Sequence, residues 1–251
     1  MGSLLQNTIF GRKKSKLQDN LVAYYKFNGD GTESTGLSPN GISTNTNYVT
    51  GKIGNAINFP SSSLAYVDIP NNVNFSLTLG NGTDIPFSVA FWFYATSFSS
   101  TGNWIINKRG GANDVEWQIH LTPFGAATLT KFSQGSNAMY QSAITPNEII
   151  SLNNWYHIVV TDNASKTVPG TKIYINSVSQ IIKDTSIGQY LGMNLGTSIT
   201  RIGTATWDTA SSLRHVGYVE ELGIWKNRVL NQDDINKLYD SGNGISFPFK
   251  I

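Results

Sequence analysis

The sequence predicts an all-β protein, an antiparallel sandwich of two sheets with one short helix near its C-terminal end. Only 14% of its 251 residues are charged, whereas Gly, Ser, Thr and Asn are abundant. That balance is typical of short strands joined by many turns. Runs of β-branched and aromatic residues alternate with turn residues from position 21 onward, and no linker or low-complexity stretch divides them. We therefore expect residues 21–251 to form a single domain.

Residues 1–20 form a basic lead-in to this domain and are expected to be an extended arm. Four basic residues stand against one acidic residue there, which gives a charge of +3 in a chain whose total is +2. The apolar residues precede the basic ones, which is the reverse of a secretory signal. The arm is either a solvated tail or a segment that docks on another protein, and four charges are too weak a patch to predict direct nucleic-acid binding. The candidate docking residues are Leu4, Leu5, Ile9, Phe10, Arg12, Lys13, Lys14 and Lys16.

Twelve strands are predicted from period-two patterning and turn signals. They cover residues 21–27, 53–59, 65–69, 87–95, 104–108, 115–122, 126–132, 155–162, 171–176, 179–183, 199–203 and 216–226. The run FSVAFWFYA is apolar on both faces, which carry Val89, Phe91 and Phe93 on one side and Ala90, Trp92 and Tyr94 on the other. The run WYHIVVT behaves in the same way. Such strands are expected at the centre of a sheet, with one face in the core and the other covered by loops or lining a groove.

The segment LNQDDINKLYDSG predicts the helix. Asn231 occupies the position of an N-cap, and Asp233 and Asp234 oppose the positive end of the helix dipole. Gly242 fits the left-handed position that ends a helix. An apolar stripe along one face consists of Ile235, Leu238 and Tyr239. This pattern predicts a short helix laid across the sandwich as a plug.

Seven segments follow one another along the chain: VTGKIGNAINF, AYVDIP, PFSVAFWFYATSF, NNWYHIVVT, KIYINSV, RIG and GYVEELGIWKNRVLNQDDINKLYDSGNG. In this order they resemble the laminin-G-like, concanavalin A-like jelly-roll domains. The resemblance covers about residues 21–249, and its last segment is the most specific. It implies a jelly roll of two antiparallel sheets that is usually non-catalytic and often binds glycans or partner proteins.

The resemblance also implies a candidate calcium site. Members of the family often place one acidic residue in the Gly-rich loop after the first strand and another at the start of the last long strand. The matching stretches here are NGDGTESTG, with Asp30 and Glu33, and VEE, with Glu220. Calcium takes six to eight oxygen ligands, which carboxylates and carbonyls supply. Glu33 and Glu220 stand where the family usually shows Asp, so the longer side chains either hold Ca²⁺ together or mark a lost site.

No enzyme is predicted. Asp114 and Glu116 in NDVEWQIH have the alternate spacing that places two carboxyl groups about 5 Å apart, as in retaining glycosidases. They lack the Glu-x-Asp-x-x-Glu pattern of jelly-roll glucanases, so a glycoside hydrolase is the least favoured alternative. His120, His157 and His215 show no metal-ligand spacing.

Glycan binding is predicted at aromatic residues in turn-like contexts, because a pyranose offers an apolar face surrounded by hydroxyl groups. Trp104 follows SSTGN, and Trp207 lies in TATWDTASS. The candidate glycan-binding residues are Trp104, Trp207, Asp208, Tyr140 and Tyr190. Trp92, Trp155 and Trp225 match core positions of the family and are assigned to packing.

Two classes of function follow. In the first, the protein is a virion surface component, specifically a bacteriophage capsid-decoration or fibre-associated protein made in the host cytoplasm, held to other virion proteins by residues 1–20. The ending SGNGISFPFK resembles stand-alone jelly rolls of phage structural proteins. In the second, it is a secreted or cell-surface carbohydrate-binding module. No apolar run approaches the about 20 residues of a membrane span, and an oligomer is possible without any heptad signature.

Overall fold

The computed structural model describes residues 17–111, 114–133, 138–206 and 213–249. Within them, two antiparallel sheets of eight strands each form a sandwich, as predicted, and a helix follows the last strand. The helix α1 covers Gln232–Tyr239, and short 3-10 turns cover Val73–Phe75, Val168–Gly170 and Asp240–Gly242. The strands are β1 (Leu21–Tyr25), β2 (Ile42–Thr44), β3 (Asn47–Thr50), β4 (Asn55–Phe59), β5 (Tyr66–Ile69), β6 (Phe87–Ser97), β7 (Asn103–Arg109), β8 (Val115–Leu121), β9 (Ala127–Phe132), β10 (Tyr140–Ile144), β11 (Trp155–Asp162), β12 (Thr171–Ile175), β13 (Val178–Ser179), β14 (Lys183–Asp184), β15 (Thr200–Ile202) and β16 (Val216–Lys226).

The two sheets differ in how their strands connect. The first sheet has the order β13-β12-β11-β6-β16-β4-β3, and the second has the order β14-β10-β9-β8-β7-β15-β5-β2. Strand β16 changes partner along its length, because Gly217–Val219 pair with β4 and Leu222–Trp225 pair with β1. The change coincides with a bulge between Glu220 and Gly223, where Glu221 has a φ of 52°. A bulge bends its strand, so β16 can hold β4 at one end and β1 at the other.

The core lies between the sheets and is built from alternate residues of the strands. On β6, Phe91 and Phe93 are fully buried in the core, while Trp92 and Tyr94 point to the outer face. This confirms the predicted division of the strand. From the second sheet, Trp117 packs into the same core and donates its indole N–H to the Phe75 carbonyl at 2.9 Å. Burying one such side chain stabilises the fold by about 1.5–3 kcal/mol.

A second apolar cluster covers part of the outer face of the first sheet. Ile235 and Leu238 of α1, together with Phe249 of the C-terminal segment, pack on Tyr24 and Trp225. The helix is therefore the predicted plug, and it closes one half of the sheet's outer face. No helix in the described part of the chain is long and apolar enough to span a membrane.

The start of α1 is as predicted, and its end is different. The Asn231 side chain accepts the backbone N–H of Asp234 at 2.9 Å, and the Asp234 carboxylate accepts the N–H of Asn231, which completes a capping box. The helix ends at Tyr239, because Asp240 already takes the left-handed conformation with a φ of 45°. Gly242, the predicted end, lies in the following 3-10 turn.

Three strands, β2, β3 and β10, were not predicted, and the predicted strand 179–183 is instead the pair of two-residue strands β13 and β14. The sequences of β3 and β10, NYVT and YQSAI, mix polar and apolar residues without a clear period. Their strand conformation comes from pairing with β4 and β9. Pairing of this kind is a tertiary contact, so a local pattern does not show it.

Residues 17–20 pack on the domain, although the sequence assigns them to the arm. Leu17 is buried in the cluster around α1, and its carbonyl accepts the indole N–H of Trp225 at 2.7 Å. The Asp19 carbonyl accepts a guanidinium N–H from Arg228 at 2.7 Å. The predicted docking residues lie outside the described residues: Leu4, Leu5, Ile9, Phe10, Arg12, Lys13, Lys14 and Lys16.

Candidate functional site

The half of the first sheet's outer face that α1 leaves uncovered carries a line of aromatic and amide side chains. Trp155 of β11 pairs with Tyr94 of β6, which pairs in turn with Tyr218 of β16. Beyond them, Tyr218 pairs with Asn58 of β4, and Asn58 pairs with Asn47 of β3. Directly paired residues point to the same face of a sheet. The five side chains therefore form one line across five adjacent strands, which we call the aromatic row.

The members of the aromatic row contact one another. The ring centroids of Tyr94 and Tyr218 are 5.0 Å apart with their planes inclined by 20°. The Trp155 ring lies 5.4 Å from that of Tyr94 and 6.1 Å from that of Tyr218. At the other end, Asn58 donates an amide N–H to the Asn47 side-chain carbonyl at 2.8 Å. The three rings are half-buried and Asn47 is exposed, so the row presents both aromatic and amide groups to solvent.

Gly217 allows β16 to approach β6 beside the row. Its φ is 141°, and a Cβ atom there would lie 2.0 Å from the Tyr94 carbonyl oxygen. Any other residue would force the two strands apart, because real Cβ atoms do not approach an oxygen so closely. Gly217 thus allows the next residue, Tyr218, to come within stacking distance of Tyr94.

The line of residues next to the row is closed by α1. Tyr239 of the helix stacks on Trp92 with 5.9 Å between ring centroids, and its ring lies 6.1 Å from that of His157. Lys52 places its ammonium group 5.6 Å from the centroid of the Trp92 ring. Burial lowers the pKa of His157 to about 3, so its imidazole is neutral at physiological pH. The helix and the β3–β4 turn therefore border one side of the aromatic row.

Glu220 holds the β3–β4 turn in place. Its side chain is fully buried, and its Oε1 accepts the backbone N–H of Lys52 at 2.6 Å and that of Ile53 at 3.2 Å. Burial raises the pKa of Glu220 to about 7, against the opposing effect of these two hydrogen bonds. The turn connects β3 and β4, which carry Asn47 and Asn58, so Glu220 fixes the strands that supply the amide end of the row.

The carboxylates predicted to bind calcium are occupied by hydrogen-bond donors. Asp30 accepts the N–H of Thr32 at 2.9 Å in an exposed turn. Glu33 is 6% exposed, and its two oxygens accept five backbone N–H groups, from Tyr24, Thr35, Gly36, Leu37 and Ser38. Calcium needs the same oxygen lone pairs, so these residues as arranged do not fit the ion. The described residues contain no group of three or more His, Cys, Asp or Glu placed to hold a metal.

Asp114 and Glu116 are engaged in structural contacts. Asp114 accepts the backbone N–H of Thr197 at 2.8 Å and its hydroxyl group at 3.2 Å. Glu116 is buried, lies 3.3 Å from the Lys108 ammonium group and accepts the N–H of Gly196 at 2.9 Å. Burial raises the pKa of Glu116, although the Lys108 charge opposes the change. Both carboxylates therefore link β8 to the loop around residue 196.

Trp104 starts the predicted strand 104–108, and its ring is buried rather than exposed beside a turn. Trp104 lies in β7, is 6% exposed, and stacks on His120 with 5.1 Å between ring centroids. The first four of its turn-like neighbours SSTGN precede the strand, and pairing with β8 begins at the fifth, Asn103. Trp207 and Asp208 lie outside the described residues.

The two predicted tyrosines are not neighbours of the aromatic row. Tyr140 begins β10 of the second sheet, where its half-buried ring lies 5.8 Å from that of Phe132. Tyr190 packs against the core and donates its hydroxyl proton to Asp84 at 2.5 Å. Burial and the charge of Asp84 raise the Tyr190 pKa.

Sequence reasoning missed the aromatic row. Trp92 and Trp225 are buried, as assigned, but Trp155 is half-buried on the outer face, in line with Tyr94 and Tyr218. The usable signal was the two-faced apolar pattern of FSVAFWFYA, which predicts either a cover or a groove on the second face. The pattern does not show the register of the strands, and it is this register that brings the three residues together.

The comparisons with known proteins agree with this architecture. The family model of the concanavalin A-like lectin/glucanases superfamily matches residues 61–236. No curated protein matches the chain by sequence.

Among solved structures, the chain is similar to the binding domain of Paraclostridial Mosquitocidal Protein 1, with a TM-score of 0.68 and 18% identity over 90% of this chain and 53% of that one. It is similar to the binding domain of botulinum neurotoxin serotype C1, with a TM-score of 0.63 and 21% identity over 90% of this chain and 52% of that one. It therefore spans about half the length of these toxin domains. Domain 4 of AbnA, an extracellular arabinanase from Geobacillus stearothermophilus solved with arabinotriose, gives a TM-score of 0.60 and 18% identity over 90% of this chain and 98% of that one. At these identities the solved structures show the fold alone, while the family model covers more than half of the sequence, and the chain belongs to the concanavalin A-like lectin/glucanases superfamily.

Proposed function

We propose that this protein is a non-enzymatic domain that binds a carbohydrate through the aromatic row. The observation that carries the proposal is the direct pairing of Trp155, Tyr94 and Tyr218 with the amides Asn58 and Asn47 on one face. Aromatic rings stack on the apolar face of a sugar, and neighbouring amides donate to and accept from its hydroxyl groups.

The comparisons support the same class of function. Domain 4 of AbnA, which the chain matches along nearly its whole length, was solved in complex with arabinotriose. Botulinum neurotoxin type C, whose structure is also similar to this chain, depends for cell entry on interaction with two ganglioside molecules. Arabinotriose is an oligosaccharide and a ganglioside carries a sugar headgroup, so both similar structures come from proteins with sugar-containing ligands.

Alanine substitution of the stacked tyrosines tests the proposal. For a glycan that the wild type binds, Tyr94→Ala and Tyr218→Ala should each weaken the affinity by about tenfold. A tenfold change corresponds to a loss of about 1.4 kcal/mol of binding free energy. Phe124→Ala is the matched control, because Phe124 is an aromatic residue of the second sheet's β8–β9 loop and is 66% exposed. Unchanged binding by both tyrosine variants, at unchanged melting temperature, would remove the aromatic row from the site.

From the sequence we also propose that the domain is displayed on a virion surface. Residues 1–16 would attach it there to other virion proteins. What supports an attachment role is the anchoring of the residues that follow: Leu17 and Asp19 are bonded to Trp225 and Arg228 of the domain. The domain thus holds the chain directly after residue 16. A secreted or cell-surface module is the alternative place of action.

Deletion of residues 1–16 tests this attachment. The truncated protein should keep its melting temperature, because Leu17 and its contacts remain, and it should fail to co-purify with virus particles assembled in its presence. Equal incorporation of the truncated and complete proteins into particles would contradict the attachment role.

A further inference from the structure

At the position of the aromatic row, the first sheet is five strands wide, and the row crosses all five. Its members lie on β11, β6, β16, β4 and β3, which are consecutive in the sheet. Neighbouring strands are about 4.8 Å apart, so the row spans about 19 Å from Trp155 to Asn47. Each ring of a linear sugar chain lengthens the chain by about the spacing between two neighbouring strands. The row is therefore long enough for a segment of about four sugars, well beyond the size of a single one.

Both ends of the row lie at edges of the sheet. Asn47 belongs to β3, the last strand of the sheet order. At the other end, β12 pairs with β11 only from Ile158 onward, so Trp155 lies beyond the paired region. Tyr239 and the β3–β4 turn border one side of the row and do not cross its ends. A chain lying on the row can therefore continue past both edges.

The row carries no formal charge. Its three rings are uncharged and pack on one another, and its two amides offer one donor group and one acceptor group each. Thr96, which follows Tyr94 on the same face of β6, is exposed and adds a hydroxyl group. Recognition of carboxylate or sulfate groups would call for arginine or lysine in the line, and the lysine beside it, Lys52, holds its ammonium group over the Trp92 ring. The chemistry of the row therefore fits a neutral glycan.

We propose that the aromatic row binds an internal segment of a neutral, linear polysaccharide that lies across the strands, with sugar rings on Trp155, Tyr94 and Tyr218 and hydroxyl groups on Asn58 and Asn47. This inference rests on the proposed carbohydrate-binding function. It adds the charge class of the ligand, its direction on the sheet, and the recognition of the chain interior rather than of a chain end.

Affinity electrophoresis of the complete protein gives the first test. The neutral probes are mixed-linkage β-glucan, xylan, mannan, arabinan and amylose, and the anionic probes are polygalacturonate and heparin. We expect retardation by at least one neutral polymer and a weaker effect of both anionic ones. Stronger retardation by the anionic polymers would overturn the inference and leave carbohydrate binding intact, while the absence of retardation by every probe would count against the proposed function itself.

Calorimetry with oligosaccharides of the retained polymer, from two to six sugars, gives the second test. Affinity should rise at least about tenfold from the disaccharide to the tetrasaccharide, because further rings and amides are engaged, and should then level off. Full affinity for a monosaccharide or disaccharide, or a requirement for one chain terminus, would overturn the recognition of a chain interior.

Asn58→Ala separates the two ends of the row. It should remove most of the gain in affinity between the disaccharide and the tetrasaccharide. Asn236→Ala is the matched control, because Asn236 is an exposed amide on α1 that bonds Gln232. If Asn58→Ala and Asn236→Ala give the same length dependence as the wild type, the amide end of the row takes no part in binding.

Discussion

The ammonium group of Lys131 on the second sheet lies 2.9 Å from Oδ2 of Asp162 on the first sheet, inside the sandwich. A second carboxylate, that of Asp84, lies 3.5 Å from the same nitrogen, and all three side chains are at most 1% exposed. Asp162 also accepts the hydroxyl proton of Thr171 at 2.6 Å. The two sheets are therefore joined by a buried ionic contact as well as by the apolar core.

Replacing Lys131 with methionine should destabilise the domain strongly. The substitution leaves Asp162 and Asp84 buried without their cation, and breaking a buried pair in this way costs about 3–5 kcal/mol. Chemical denaturation at neutral pH measures the free energy of unfolding.

Lys172→Met is the control for this substitution, because Lys172 is an exposed residue of β12. Its unfolding free energy should stay close to that of the wild type. A loss of less than about 1 kcal/mol for Lys131→Met would show that the buried pair contributes little over an apolar replacement.

Glu220 should make the stability of the domain depend on pH. Its pKa is raised to about 7 in the folded protein, whereas an unfolded glutamate titrates near 4.3. The folded state therefore binds a proton more tightly, and the free energy of unfolding falls as the pH rises from about 4.5 to about 7. Glu220→Gln mimics the protonated side chain and should lack this part of the profile.

Urea denaturation of both proteins between pH 4.5 and 8.5 measures the difference. Relative to Glu220→Gln, the wild type should lose on the order of 2 kcal/mol across the interval, with no further change above about pH 8. Glu148→Gln, on an exposed loop, should follow the wild type. Parallel profiles for the wild type and Glu220→Gln would contradict the raised pKa.

Calcium should leave the melting temperature unchanged. The carboxylate oxygens of Glu33 and Glu220 already accept backbone N–H groups, and a bound cation would have to displace these donors. A ligand that binds only the folded state raises the midpoint with its concentration. Differential scanning calorimetry in millimolar calcium and in a chelator would show a rising midpoint if the predicted site exists after all.

The sequence was sufficient for the fold because its strongest signals are local. The two-faced pattern of β6 places Phe91 and Phe93 inside and Trp92 and Tyr94 outside, as found. The predicted N-cap at Asn231 likewise involves only residues up to three positions apart. These features depend on neighbours in the chain, and a pattern of residue types records them directly.

The candidate site was not predictable in the same way because it is assembled from distant segments. Tyr94, Trp155 and Tyr218 come from three strands, and their alignment depends on the register irregularity beside Gly217. The buried cation Lys131 illustrates the same point, since lysine in a strand suggests an outward position until its acidic partners are known. Residue patterns therefore predict most of the strands but not which side chains meet across them.

The alternation of side chains along β6 has a consequence for engineering. Phe91 and Phe93 are fixed by the interior of the sandwich, whereas Tyr94 on the same strand contacts other members of an outward-facing line. A library that randomises Tyr94, Trp155 and Tyr218 together would change one continuous surface and leave the interior side chains untouched. The strand thus offers a scaffold on which new recognition specificities can be selected separately from the packing of the core.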